Sequence, residues 1–150
     1  MITIRRVLAP TDFSESSVPA VRYAAELATQ FGAELTLLHV VQDLTLVVPD
    51  VMMPTPVTMP ALADMVEGGK AGLVAFVKRL GLEALNPKTE VRMGAPAAEI
   101  VTAAADLKVD LLCIGTHGRT GLAHFLLGSV AERIVRHAPC PVLTVRPPVK

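Results

Sequence analysis

Neither charge predominates in this 150-residue chain, in which Lys and Arg number 14 and Asp and Glu also number 14. That balance argues against nucleic acid or an anionic membrane surface as the main partner, because both select a basic excess. A membrane-spanning run is missing as well. The longest weakly polar stretch, 46–63, contains Pro49, Asp50, Pro54, Pro56 and Pro60, which exclude a bilayer helix. Arg5 and Arg6 interrupt the apolar start, so no signal peptide is read there. The expectation is a soluble, cytoplasmic protein with neither nucleic acid nor membrane as partner.

Cysteine is scarce too, at two residues. Cys113 lies in an apolar run and reads as a buried, inert thiol. Cys140 stands between Pro139 and Pro141. If their two strands are parallel neighbours, Cys113 pairs near Thr144. Cys140 is then about four residues away, too far for a disulfide at roughly 3.3 Å per residue. No CxxC pair or Cys/His cluster offers a zinc site. Catalytic signatures are lacking: Gly69-Lys70-Ala71 has neither the earlier glycine nor the following Ser/Thr of a P-loop, and no kinase motif or G-x-S-x-G elbow occurs.

Hydrophobic residues, by contrast, make up 51% of the chain, enough for one domain over 1–150 with a substantial core. Short apolar runs predict strands at 5–10, 33–41, 89–93, 110–115 and 141–146. Between them, helical stripes predict a helix capped by Asp12 or Ser14 and ending near Gly32, then helices at 61–81, 96–107 and 129–137. Their expected inner faces are Val18, Val21, Ala25 and Ala28; Leu62, Val66, Gly69, Leu73, Phe76 or Val77, and Leu80; Ile100, Val101, Ala104 and Leu107; and Val130, Ile134 and Val135. Gly68, Gly69 and Gly72 weaken the longest helix, each by up to about 1 kcal/mol, and point to fraying or to close packing. The proline-studded segment 42–60 reads as an irregular excursion, either folded over its own domain or presented to a partner or ligand.

Strands joined by helices imply right-handed crossovers and a parallel sheet. The fold class expected is α/β: a three-layer α/β/α, Rossmann-like, doubly wound five-stranded parallel sheet in the order 3-2-1-4-5. Ligands bind such sheets where the strand order reverses. Here that places Pro10-Thr11-Asp12 beside Gly115-Thr116-His117-Gly118. Downstream, Gly115, Gly118 and Gly128 are spaced G-x2-G-x9-G and followed by Ser129. A strand feeding a glycine-rich loop that opens a helix is an anion site, since first-turn N–H groups and the positive dipole end face the ligand. Glycine lets the backbone approach closely and take positive φ.

Several residues keep two readings. Ser129 begins S-x-x-E with Glu132, a capping box, or contacts phosphate. Asp12 is a cap or turn residue, or a ligand. Arg119, the one cation inside the loop, screens phosphates or is solvated; His117 touches phosphate or is an exposed loop residue. His39 reads as a packed or edge histidine, His137 suits the negative end of its helix, and His124 has no evident partner.

Three stretches resemble the universal stress protein family over nearly the whole chain: APTDFS at 9–14, LLHVV at 37–41, and GTHGRTGLAHFLLGSVAERIVRHAPCPVLTVR at 115–146. In that family the glycine-serine spacing separates ATP-binding members from the others, and this sequence keeps every position of it. The resemblance implies ATP, with Mg2+, between strands one and four. Gly115, Gly118, Gly128 and Ser129 would hold the phosphates. Asp12 would meet the ribose or help place the metal, the Val40 backbone would meet the adenine edge, and Ala9, Pro10 and Ile114 would line the base. Thr11, His117, Arg119 and Val130 complete the expected binding set. A homodimer through 142–146 is implied too, whereas 42–60 matches no family pattern. With no catalytic base in view, the leading expectation is ATP binding that switches conformation or partner choice. Slow ATP hydrolysis or self-phosphorylation is the second expectation, and a nucleotide-free, chaperone-like dimeric module the third.

Overall fold

Strand and helix alternate along the chain: β1 (Arg6–Pro10), α1 (Val18–Phe31), β2 (Glu34–Val41), α2 (Met59–Leu80), β3 (Lys88–Met93), α3 (Pro96–Asp106), β4 (Leu111–Gly115), α4 (Ser129–His137) and β5 (Val142–Val145). They come from a computed structural model that describes residues 1–42, 59–117 and 127–148. All pairings are parallel and the order is β3-β2-β1-β4-β5, as the alternation predicts. Each strand's side chains alternate between two helical layers. Val7, Ala9, Leu35, Leu37 and Cys113 pack with α1 and α2. Leu8, Leu38, Leu112 and Ile114 pack with α3 and α4. Leu8, Leu37, Leu38 and Leu112 are fully buried, each contributing about 1.5–3 kcal/mol.

Local signals place the helix ends. Pro19 and Pro96 sit in first turns, where a missing N–H costs nothing. Gly32 ends α1 with φ 62°, and the adjoining Ala33 N–H reaches the Ala28 carbonyl at 2.8 Å. The start of α1 differs from expectation. A 3-10 turn (Glu15–Ser17) precedes it, and neither Asp12 nor Ser14 caps the helix with its side chain. In α2 two of the three glycines serve close packing: a Cβ on Gly69 would lie 3.2 Å from His39, and one on Gly72 would lie 2.8 Å from Phe13, whereas one on Gly68 would meet nothing within 4 Å. α2 begins at Met59, earlier than expected, and most of the 42–60 excursion lies outside the described residues.

Two inner faces also differ. In α3, Ala97 and Ala103 are buried with Ile100 and Ala104, while Val101 and Leu107 are half-buried. In α4 the buried residues are Ala131 and Ile134, whereas Val130 and Val135 are 40% and 45% exposed. Arg133 and His137 turn toward α3 and line a groove with Ala97 and Val101. At about 100° per residue Val130 and Val135 stand on opposite flanks of the Ala131–Ile134 stripe, Val130 on the side of His137; β5 is the edge strand, beyond which no described strand lies. The register of β5 is one residue off the prediction: Cys113 pairs with Leu143 rather than Thr144. Both cysteines are free, and burial pushes the Cys113 thiol up to about 12.

At the amino end of the sheet, Asp110 fastens β1 to β4. One of its carboxylate oxygens accepts the N–H groups of Arg5 at 2.8 Å and Arg6 at 2.9 Å, and its own N–H reaches the Arg6 carbonyl. Those two backbone donors hold the carboxyl below its ordinary value of 3.8. A depressed folded-state pKa adds stability that is present above the unfolded value and lost as pH falls through the folded one. Asp110→Ala should therefore lower Tm at pH 7, by a margin that shrinks below pH 3.8. A thermal-melt difference that stays constant from pH 7 down to strong acid would contradict this role.

Candidate functional site

β1 and β4 part before their ends. Their ladder runs only through Val7↔Leu111 and Leu8↔Leu112, whereas β1 and β2 stay paired to Pro10↔Leu38. The strand order reverses at this gap, and the polar ends after β1 and β4 flank it.

The segment after β1 is fixed by its own side chains. Ser17 Oγ donates to the Ser14 carbonyl at 2.8 Å, which commits its one proton. Thr11 must then be the donor in its 2.8 Å bond to Ser17 Oγ. Thr11 Oγ1 in turn accepts the Phe13 N–H at 3.0 Å. The result is a buried relay from Phe13 through Thr11 and Ser17 to Ser14, whose members polarise one another. Thr11 is only 5% exposed and its hydroxyl is engaged within the turn. Asp12 Oδ1 accepts both the N–H of Ser14, at 3.0 Å, and its hydroxyl, closing an Asx-turn. Phe13 takes φ 66°, which costs an L-residue roughly 1–2 kcal/mol. His39 Nδ1 lies 2.9 Å from the Thr11 carbonyl, and because a carbonyl only accepts, Nδ1 carries the proton.

Strand parity aims Val40. Along a parallel strand, successive residues turn their N–H and C=O to opposite neighbours. Glu34 and Leu38 bond toward β1, whereas Val41 bonds toward Gly94 after β3. Val40 shares the parity of Glu34 and Leu38, so its backbone groups point past the end of β1 into the gap. Its side chain packs in the same cluster as Ile114. Ile114 is 4% exposed and Ala9 is 0% exposed, on opposite faces of the sheet; Pro10 is half-buried. Ala9 thus belongs to the core beneath α1 and reaches the gap only through its backbone.

On the other side, the Gly128 N–H bonds the Thr116 carbonyl at 2.7 Å, and the Thr116 N–H bonds the Val145 carbonyl at 3.1 Å. The glycine loop is thereby closed at its base. Gly118, Arg119 and His124 lie outside the described residues. Neither Gly115 nor Gly128 adopts the left-handed backbone that the sequence reading allowed, and Gly128 has φ −68°. They are glycines for want of room: a Cβ on Gly115 would sit 3.1 Å from the Ser16 carbonyl oxygen, and one on Gly128 would sit 3.2 Å from that of Thr116. Gly128 is the N-cap and Ser129 the first helical residue, so the capping-box reading is displaced by one position. Glu132 pairs instead with Arg136 at 2.9 Å, and the Ser129 side chain is exposed. The first-turn N–H groups, those of Ser129 and Val130 among them, have no acceptor within the helix. The Val130 side chain itself is 40% exposed. His117 Nδ1 lies 2.8 Å from Thr116 Oγ1.

The fold thus gathers Asp12, Val40, Gly115, His117, Gly128 and Ser129 at one end of the sheet. Phe13, Ser17 and the role of His39 were not read from sequence; the one signal available was Gly69 and Gly72, spaced i, i+3 on the inner stripe of α2. Removing the central hydroxyl with Thr11→Val leaves the Phe13 N–H and Ser17 Oγ without their partner and should cost about 1–3 kcal/mol. Urea unfolding that matches wild type would show the relay to be inconsequential.

The universal stress protein family model matches residues 3–146. Universal stress protein MJ0531 of Methanocaldococcus jannaschii is 37% identical over 97% of this chain and 84% of its own length. The solved structure of universal stress protein UspA from Lactobacillus plantarum superposes with a TM-score of 0.79 at 27% identity, covering 97% of this chain and all of that one. A structure of protein MJ0577, 30% identical, does so with a TM-score of 0.80, covering 99% of this chain and 100% of the other. With its sheet order, its glycine-serine spacing and these likenesses in agreement, the chain belongs to the universal stress protein family.

Proposed function

We propose that this chain binds an adenine nucleotide, ATP with Mg2+, across the gap between β1 and β4, and that occupancy alters its conformation or choice of partner. The observation that carries the reading is the pair of glycines at which a Cβ would meet backbone oxygen at 3.1 and 3.2 Å, beside an exposed Ser129 at the start of α4. Backbone amides there suit phosphate oxygens. Gly118 and Arg119 would add to the phosphate set, Asp12 would take the ribose or the metal, and the Val40 backbone the adenine edge. Two more distant structures of this fold, 24% and 19% identical, are complexes with cAMP and with dAMP. Those likenesses extend to the fold alone, so the reading rests on this chain's own residues. Binding is favoured over hydrolysis because the Asp12 carboxylate is already engaged in its own turn and His117 Nδ1 lies 2.8 Å from Thr116 Oγ1.

The small molecule released on denaturing freshly purified protein, identified by mass, should be an adenine nucleotide. Gly128→Val should stay folded yet lose ATP affinity in titration calorimetry. Unchanged affinity would reduce the glycines to shaping the loop and defeat the proposal.

A second copy of the chain is the proposed protein partner, through the β5 edge. The other edge, β3, is guarded by Lys88, Glu90 and Arg92, with Arg92 bonded to Glu90 at 2.6 Å and Asp106 at 2.9 Å. Burial alone would lower the Arg92 pKa, but those two carboxylates outweigh it and hold the guanidinium above its ordinary value. β5 carries no charge. Pro141 and Val145 bond toward β4, so by parity Val142 and Thr144 present the free edge. Thr144→Pro should convert a dimer into a monomer in sedimentation, since edge strands accept proline where no ladder bond is lost. A wild-type chain that sediments as a monomer at micromolar concentration would refute the pairing.

A further inference from the structure

Phe13, Asn86 and Lys108 are the described non-glycine residues with positive φ, and Phe13 is the one beside the candidate site. Its ring holds it there. The ring stacks on His39 with centroids 4.3 Å apart and 28° between planes, and meets Phe76 edge-on at 5.8 Å. α2 supplies the space through glycine, because a Cβ on Gly72 would come 2.8 Å from Phe13 Cζ and one on Gly69 would come 3.2 Å from His39 Cδ2. The same two residues grip the backbone on either side of Asp12. His39 Nδ1 holds the Thr11 carbonyl at 2.9 Å, and the Phe13 N–H is held by Thr11 Oγ1 at 3.0 Å. His39 is also the residue before Val40, whose backbone points into the gap.

We propose that Phe13 and His39 are positioning residues of the nucleotide site. Their stack sets the backbone at Asp12 and at Val40 together, and it ties both to the seat of α2 on the sheet. A strained φ beside a ligand group persists only where its surroundings over-determine it, and here the stack, the Phe76 edge and the glycine notch do so. The coupling is reciprocal: a nucleoside that orders Asp12 also fixes α2, and displacement of α2 at Gly69 and Gly72 disturbs the nucleoside end. This inference rests on the nucleotide reading above.

The test uses the full chain and compares dissociation constants for ATP, 2′,3′-dideoxy-ATP and tripolyphosphate, with melting temperature as control. Phe13→Gly removes the ring while relieving the strain at positive φ, and its melting temperature reports what the lost packing costs. It should weaken ATP about tenfold. It should also collapse the preference for ATP over the dideoxy analogue and leave tripolyphosphate binding at the wild-type level. Asp12→Ala should give the same collapse, with little further loss in the double variant. Gly72→Ala, which displaces the ring and touches no ligand group, should shift the preference in the same direction, and it decides the matter if Phe13→Gly melts too low to assay. Wild-type affinity and preference in the folded variants would overturn the proposal. So would a uniform loss for all three ligands, which marks general destabilisation. Wild-type protein that ignores adenine nucleotides would overturn the nucleotide reading and this inference with it, whereas normal wild-type binding with unaffected variants overturns this inference alone.

Discussion

Crowded main chain at the carboxyl end of β4 constrains everything around it. The Thr116 carbonyl accepts the Gly128 N–H at 2.7 Å, and Ser16 brings its own carbonyl against Gly115. Three backbone segments, the turn after β1, the end of β4 and the start of α4, therefore meet so closely that an added Cβ would press on backbone oxygen at 3.1 or 3.2 Å. Such an approach brings backbone amide donors to the edge of the gap, a feature that suits an anion. It also explains why two of the glycines stand where they do even though their backbone angles are ordinary.

The architecture was legible because several local signals agreed. Apolar runs and helical stripes alternate, prolines lie in first turns, Gly32 and Gly81 follow helix ends, and short connections force parallel crossovers. What the sequence obscured was tertiary. The first turn of α1 is displaced by a 3-10 turn because Thr11 and Ser17 hydrogen-bond to each other across six residues, a pairing that no periodicity announces. Val130 and Val135 read as core beside Ile134, yet the buried stripe of α4 is only Ala131 and Ile134, and the valines on its two flanks stay largely exposed. The one-residue difference in the register of β5 has the same origin, since a four-residue edge strand is set by its neighbour rather than by its own pattern.

The site divides in the same way. Its glycines and Ser129 were visible as spacing, but their mechanism was not: closeness replaces left-handed backbone, and Ser129 stands inside the helix instead of capping it. Asp12 was visible as a polar strand end. The aromatic and imidazole rings behind it were not, because a phenylalanine beside a turn and a histidine near a strand end each read as ordinary packing. Only in three dimensions do they share one notch cut by Gly69 and Gly72.

Asp110 lies at the opposite end of the sheet from all of this, joining the first residues of β1 to the start of β4. The two central strands are thus laced together at their amino ends and left apart at their carboxyl ends, like a clothes-peg whose spring is remote from its jaws. Substitutions that reshape the open end do not touch the Asp110 bonds to Arg5 and Arg6, so the two ends of this strand pair can be altered separately.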